Sequence, residues 1–108
     1  MNNHDLAERL TGLASRFNNL MIATTGDISR QCGDLQATLA GQSMAAISRD
    51  LDAAAAQYAG AVAALQDATQ AADSAAQQLQ QTSNSIAFVA KAIQLAGKAS
   101  GLAAALLA

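Results

Sequence analysis

The chain has 108 residues and a formal net charge of −2, and charged residues make up only 13% of it. This length favours a single domain, and the charged share is about half of the roughly 25% that is usual in globular proteins. No run of Lys or Arg occurs along the chain. Because sequence-independent nucleic-acid binding needs a basic stripe, we expect no nucleic-acid partner. The low charge has two interpretations: another chain or lipid covers more than one face, or the alanine-rich composition reflects the mutational bias of a high-GC genome.

The composition favours long helices. Hydrophobic residues make up 52% of the chain, but only Phe17, Tyr58 and Phe88 are aromatic, and proline is absent. Alanine, which dominates the apolar share, is the best helix former and the poorest core filler. We therefore predict an all-α protein whose helices pack closely on one another.

The first helix is predicted over residues 4–40. Asn3 can cap its start, and large apolar residues then follow in steps of four and three up to Leu20. The frame slips at residues 24–27, which read TTGD, and the same spacing resumes at Ile28. A kink, a frame slip within one helix or a true break would each explain the slip. We favour a continuous or kinked helix, because no proline enforces a stop.

The second helix is predicted over residues 43–82, after a turn at Gly41-Gln42-Ser43. Glycine can take the left-handed C-cap conformation, and Ser43 can cap the next helix. From Met44 onward, large and small residues alternate in steps of three and four, which is typical of a coiled-coil seam. The predicted interaction seam consists of Met44, Ile47, Leu51, Ala54, Tyr58, Ala61, Leu65, Ala68, Leu79, Ile86, Val89 and Ile93.

A third helix is predicted over residues 84–106, after a turn near residue 83. The seam runs through this point, but an unbroken helix over residues 44–105 would be about 90 Å long, and a first helix of about 36 residues could cover little more than half of it. Either the chain turns again near residue 83 or the excess length packs on other subunits, and we favour a turn among the four cap-type residues 82–85. The expected fold is one domain, residues 1–108, folded as an antiparallel helical hairpin or three-helix bundle with coiled-coil-like, alanine-layered packing.

The last segment, residues 86–108, contains no acidic residue, and its only charges are Lys91 and Lys98. Three structures are open for it: the closing helix of a bundle or subunit interface, a helix lying on a membrane, or an inserted helix. We favour the first, because the apolar spacing continues the frame of the preceding helix. The residues predicted to contact a membrane or another subunit are Gly97, Gly101, Leu102, Leu106 and Leu107.

The sequence contains no constellation typical of an enzyme. His4 is the single histidine, Cys32 is the single cysteine, and the glycines form no phosphate-binding loop. A general base needs an ordered partner and a pocket, and a di-iron bundle needs Glu-x-x-His motifs. We therefore predict a protein that is not an enzyme, with no catalytic residues, no cofactor and no metal ligands.

In size and layout, a helical hairpin of about 100 residues with a turn at Ala40-Gly41-Gln42-Ser43 resembles the small secreted proteins of type VII secretion systems. Two motifs of those proteins are absent, because the turn has no tryptophan and the single tyrosine, Tyr58, lies in mid-helix. The proline-free, alanine-, glutamine- and serine-rich composition also resembles subunits of secretion filaments and granule-coating phasins. These likenesses assign no family.

The leading hypothesis is a helical interaction protein that forms a homo-oligomer or pairs with a larger helical partner. It would act as a structural subunit, adaptor or co-secreted partner in a bacterial secretion or toxin-delivery system. One alternative is a protein of membrane or lipid surfaces acting through residues 86–108, and another is a small immunity or inhibitor protein. Because the first ten residues lack a secretory signal, we expect a cytoplasmic protein or one exported without signal cleavage.

Overall fold

The computed structural model describes residues 3–49, 51–52, 55–81 and 85–108. These residues form four helices, α1 (Asn3–Ala23), α2 (Gly26–Ile47), α3 (Ala56–Gln81) and α4 (Ser85–Leu107). The prediction of an all-α fold built on helix packing is confirmed. The described helices number four, however, whereas the sequence suggested two or three.

The expected continuous helix over residues 4–40 is wrong, because the chain reverses direction at residues 24–25. The Thr24 hydroxyl donates to the Leu20 carbonyl, and the Ser29 hydroxyl donates to the Met21 carbonyl. These side chains satisfy carbonyls at the end of α1 that have lost their helical partners. Gly26 then takes a φ of +65°, a conformation that costs a residue with a Cβ about 1–2 kcal/mol. The TTGD sequence is therefore a true break rather than a kink.

The predicted turn at residues 41–43 is also wrong, since α2 continues through it to Ile47. Ser43 is buried, and its hydroxyl donates to the carbonyl of Ala7 in α1. It also lies 2.6 Å from the Thr11 hydroxyl, so Ser43 joins two helices and caps neither. With the reversal at residues 24–25, α1 and α2 have 21 and 22 residues, and each helix covers the full length of the other.

The predicted second helix, residues 43–82, is divided, because α2 ends at Ile47 and α3 begins only at Ala56. The Ser48 backbone N–H donates to the Ala45 carbonyl just after α2, and the Ala55 backbone N–H donates to the Asp52 carbonyl just before α3. The turn predicted near residue 83 falls on residues 82–84, which lie outside the described residues. Before these residues α3 ends at Gln81, and after them α4 begins at Ser85.

The helices form two antiparallel hairpins that pack side by side. α1 pairs with α2, and α3 pairs with α4. The second hairpin is placed so that α3 lies beside α1, where Arg16 bonds Asp73, and α4 lies beside α2, where Gln42 bonds the Ser100 carbonyl. The bundle measures 43 × 20 × 17 Å, and the outer face of each hairpin, α1–α2 on one side and α3–α4 on the other, is turned to solvent.

The core combines large side chains from α1 with alanines from α3 and α4. Because alanine projects only one methyl group, the α3 and α4 backbones approach closely, and the larger α1 side chains fill the remaining space. The buried large residues of α1 are Leu6, Leu10, Leu13, Phe17 and Leu20. The buried alanines of the second hairpin include Ala61, Ala68, Ala72 and Ala75 of α3, with Ala92, Ala96, Ala99 and Ala103 of α4.

Candidate interaction surfaces

The middle of the predicted seam is buried inside the chain. Tyr58, Ala61, Leu65 and Ala68 of α3 all belong to the core. Burial raises the pKa of the Tyr58 hydroxyl, the Asp5 carboxylate raises it further, and a hydrogen bond with the Leu6 backbone lowers it. The phenol therefore stays neutral at ordinary pH. This part of the seam packs on helices of the same chain.

The start of the predicted seam does not join it. Met44 is 74% exposed and Ile47 is 56% exposed, because the helix that carries them ends at Ile47 and α3 begins in a new frame. Leu51 is half-buried, and Ala54 lies outside the described residues. The inclusion of Met44 and Ile47 in one continuous seam with Tyr58 is therefore wrong.

The end of the predicted seam is divided between core and solvent. Val89 is buried, while Leu79 and Ile93 are half-buried against the core. Ile86, at the start of α4, is 48% exposed. The spacing of the seam therefore continues from α3 into α4, but Ile86, the first seam residue of α4, is largely exposed to solvent.

The predicted contact residues of the last helix fall into two groups, one packed within the bundle and one exposed to solvent. Leu107 is buried and Leu106 is half-buried, so both pack within the bundle. Gly97 and Gly101 are exposed, and a Cβ added at either would meet no atom within 4 Å. The close helix contact predicted for this glycine pair is therefore not made within the chain. Leu102 is 40% exposed and lines a groove on the outer face of the α3–α4 hairpin.

That groove, here called the apolar groove, has a volume of about 320 Å³. Gly60 leaves its floor open, because a Cβ added there would meet nothing within 4 Å. A second groove on the same hairpin face, of about 360 Å³, is bounded by Phe88, Lys91 and Asp67. The residues lining the apolar groove are Ala56, Gln57, Gly60, Leu102, Ala105 and Leu106, none of which is charged.

A wider, polar groove of about 610 Å³ separates α1 from α3. Its two cations are already paired, since Arg9 lies 3.2 Å from Asp5 and Arg16 lies 2.8 Å from Asp73. Arg16 also donates to the Gly12 carbonyl. The Arg16–Asp73 pair links α1 to α3, whereas the Arg9–Asp5 pair lies within α1, and both pairs offset the positive charge that an anionic ligand would need.

Sequence reasoning missed the exposed apolar side chains and the groove, because both depend on where the helices break. Spacing alone gives Met44 and Ile47 the same periodicity as the buried residues of α3. The signal available was the frame slip at residues 24–27, which places the first hairpin turn. If the chain reverses there and the two helices of the hairpin have similar lengths, α2 must extend past residue 43.

The buried thiol of Cys32 is the one free cysteine of the sequence. Burial raises its pKa, which keeps the thiol protonated and weakly nucleophilic. Among the described residues, no three His, Cys, Asp or Glu side chains lie where they could hold a metal ion. Within the same residues, no helix combines the length and the hydropathy needed to cross a bilayer.

Comparisons of the chain with protein-family models, with curated proteins and with solved structures found no match. The likeness to small type VII secreted proteins rested on a hairpin turn at residues 41–43. Because α2 runs through that position, the layout on which this likeness rested is not formed.

Proposed function

We propose that the chain is a non-enzymatic helical interaction protein that associates with itself or with a larger helical partner through the outer faces of its two hairpins. The observation that carries this proposal is the exposure of large apolar side chains on a bundle whose core is already filled. Exposed large apolar residues that adjoin one another are typical of interaction surfaces. The exposed large apolar side chains among the described residues are Ile22, Met44, Ile47, Ile86, Phe88 and Leu102, and of these Met44 and Ile47 lie one turn apart on α2.

The distribution of charge supports the same proposal. Desolvating an unpaired charge is costly, whereas alanine, glycine and neutral polar side chains are cheap to cover. Three ion pairs of the described residues lie between α1 and α3 or within single turns of α1 and α2. A partner can cover the neutral parts of the outer faces at little electrostatic cost, whereas on the α3–α4 face it must also match the exposed charges of Asp67, Lys91 and Lys98.

The setting we propose is a bacterial secretion or toxin-delivery apparatus, in which the protein acts as a structural subunit, adaptor or co-secreted partner. The proline-free composition, rich in alanine, glutamine and serine, is what supports this setting. In that setting, the outer surfaces of the bundle would serve assembly.

Light scattering after size-exclusion chromatography tests the self-association that leads this proposal. We expect the mass of the wild-type chain to exceed its monomer mass of 10.9 kDa and to rise across the micromolar range. A folded protein with the monomer mass throughout that range would contradict self-association. Circular dichroism on the same samples establishes that the chain is folded.

A second candidate function, binding to an anionic lipid surface, rests on one face of α4. Phe88, Lys91, Leu95, Lys98 and Leu102 follow in steps of three and four, so apolar and basic side chains alternate along this face. Asp67 of α3 lies across the groove from Lys91 and weakens the positive potential.

Co-sedimentation with vesicles of phosphatidylserine and phosphatidylcholine tests the lipid candidate. If it is correct, Lys91→Gln with Lys98→Gln weakens binding and leaves thermal unfolding unchanged. Neutral phosphatidylcholine vesicles are the control, because they lack the anionic charge that the lysines would contact. Equal sedimentation with both vesicle types would contradict an electrostatic contribution of this face.

A further inference from the structure

The inner faces of the two hairpins are complementary, because each hairpin already packs on the other within one chain. The α1–α2 and α3–α4 hairpins are separate stretches of the sequence, and together they form one core. We propose that these inner faces also bind a second copy of this chain by exchange of hairpins, so that α1–α2 of one copy packs on α3–α4 of the other. This association differs from the outer-face contact proposed above, and either can fail without the other.

The contact between the hairpins is less extensive than the contact within each. The helices α1 and α2 pack closely on one another, as do α3 and α4, whereas α1 meets α3 and α2 meets α4 much less extensively. Elements with fewer mutual contacts separate at a lower free energy than the rest of a fold. A hairpin can therefore leave its partner hairpin while its own two helices stay together, which is what exchange requires.

The two edges of this interface carry polar contacts that separate at low cost. At the α1–α3 edge, the Arg16–Asp73 pair has side chains that are 39% and 56% exposed, so water and salt weaken its attraction. At the α2–α4 edge, Gln42 donates to the Ser100 carbonyl through Nε2, while its Oε1 is buried and accepts no hydrogen bond from any described residue. A buried acceptor without a donor disfavours the contact that buries it.

The connection between the hairpins is long enough for exchange. Because α2 ends at Ile47 and α3 begins at Ala56, the nine Cα–Cα steps between them can span about 30 Å. The two shorter dimensions of the bundle are 20 and 17 Å. The chain can thus pass from one bundle into a second bundle placed at its end. Within the first hairpin, by contrast, only residues 24–25 connect the helices, so α1 and α2 stay together.

Exchange needs no new complementary surface. Each bundle of the exchanged dimer contains one first hairpin and one second hairpin, so its core is that of the single chain, and the dimer differs from two monomers in the path of the connection. The share of dimer therefore depends on the protein concentration relative to the effective concentration of the tethered hairpin, which is on the order of millimolar for short linkers. Refolding at high concentration should raise this share.

Charge reversal at the α1–α3 edge distinguishes exchange from association through outer faces. Arg16→Asp and Asp73→Arg each place like charges opposite one another in the single chain. In a mixture, a dimer exchanged between the two variants restores opposite charges at both contacts, because the first hairpin of each variant meets the second hairpin of the other. The matched control pair is Arg30→Asp and Asp27→Arg, whose charges stay together on α2 whether or not hairpins exchange.

Joint refolding of the two variants from urea, followed by size-exclusion chromatography with light scattering, tests the inference. We expect a 1:1 dimer of twice the monomer mass of 10.9 kDa, at a level at least about tenfold above that of either variant alone. Native mass spectrometry verifies that each dimer contains both variants, and circular dichroism verifies folding. A variant that folds only in the mixture supports exchange equally. The control mixture should contain no more dimer than its separate variants.

The contrary outcomes are distinct. If the mixed variants dimerise no more than each variant alone, or the control mixture dimerises equally, hairpin exchange is wrong. Wild type that exceeds the monomer mass in that case would support the outer-face association by itself. If the charge-reversed mixture dimerises while native wild type remains monomeric across the micromolar range, exchange stands and the outer-face association fails.

Discussion

Hydroxyl groups of Ser and Thr have structural roles at the points where this chain departs from a simple heptad pattern. Thr24 and Ser29 satisfy carbonyls at the end of α1, and Ser43 links α2 to α1. Such side chains compete with regular helical bonding and favour caps and turns. In a sequence without proline, they supply the local signals that end one helix and orient the next.

Replacing Ser43 tests the interhelical hydroxyl contact. Ser43→Ala removes the bond to the Ala7 carbonyl and the contact with Thr11, so we expect unfolding to become easier by about 1 kcal/mol. For a chain of this size, that corresponds to a fall in Tm of about 4–8 °C. Ser48→Ala is the control, because Ser48 is exposed and bonds only within its own turn. Equal shifts in both variants would contradict the linking role of Ser43.

At the level of the helices, the first reversal, at residues 24–25, gives the α1–α2 hairpin arms of nearly equal length, 21 and 22 residues. The first reversal requires the left-handed conformation of Gly26, whereas Gly41 lies within α2 and has no special backbone requirement. The two glycines therefore have opposite effects on stability, although a Cβ added at either would meet no neighbouring atom.

A pair of alanine substitutions tests this difference. Gly26→Ala should destabilise the fold by about 1–2 kcal/mol, because an L-residue is strained at positive φ. Gly41→Ala should stabilise it by about 1 kcal/mol, through the higher helix propensity of alanine. Urea unfolding at equilibrium measures both changes. Shifts of the same sign in the two variants would be inconsistent with a left-handed Gly26.

The alanine layers can be tested in the same way. Ala68 is buried between helices, so Ala68→Leu should overpack the core and cost about 1–3 kcal/mol. Ala63 lies on the exposed side of α3, and Ala63→Leu should change stability by less than about 0.5 kcal/mol. Thermal unfolding followed by circular dichroism compares them. The alanine-layer argument would be refuted by indistinguishable melting of the two variants.

The sequence predicts most of the buried faces but not the helix ends. The four–three spacing from Leu6 to Leu20 and from Tyr58 to Ala75 identifies core positions, because burial requires apolar residues on one side of a helix. The ends of the helices were harder to predict, because they depend on which helices pack against each other. A glycine and a serine at residues 41–43 read as a turn locally, yet the contact of Ser43 with α1 keeps that segment helical.

The candidate surfaces were only partly visible in the sequence for the same reason. Met44 and Ile47 fit the seam by spacing, and their exposure follows from the end of α2 at Ile47. The apolar groove needs Gly60 and Leu102 to meet across two antiparallel helices, which no local pattern specifies. Surfaces composed of residues distant in sequence become predictable only after the pairing of helices is known.

On the scale of the whole molecule, one chain already has the surface of a compact monomer. Its accessible area is 5868 Å², close to the roughly 5,600 Å² expected for a compact chain of 10.9 kDa. The alanine seam of α3 finds its contacts in α1 and α4 of the same chain. Association of the kind we propose would therefore join folded subunits and would not be needed to complete the core.

The last helix provides a test of this integrated core. Deleting residues 99–108 removes buried Ala99, Ala103 and Leu107 and the Ser100 carbonyl that accepts from Gln42. Burial of one Leu side chain alone contributes about 1.5–3 kcal/mol, against a total stability of about 5–15 kcal/mol for a typical domain. We therefore expect the truncated chain to melt at a markedly lower temperature, or to lose cooperative unfolding, in buffer without lipid.

A full-length chain with Lys91→Gln and Lys98→Gln is the matched control for the truncation, since it changes the exposed face of α4 and leaves its buried face intact. Differential scanning calorimetry and vesicle co-sedimentation are measured on both proteins. If α4 is chiefly a core helix, the truncation alone lowers the melting temperature. Unchanged melting of the truncated chain, combined with loss of vesicle binding, would instead show that residues 99–108 contribute to lipid contact rather than to the bundle, and the lipid-surface function would then take precedence over self-association.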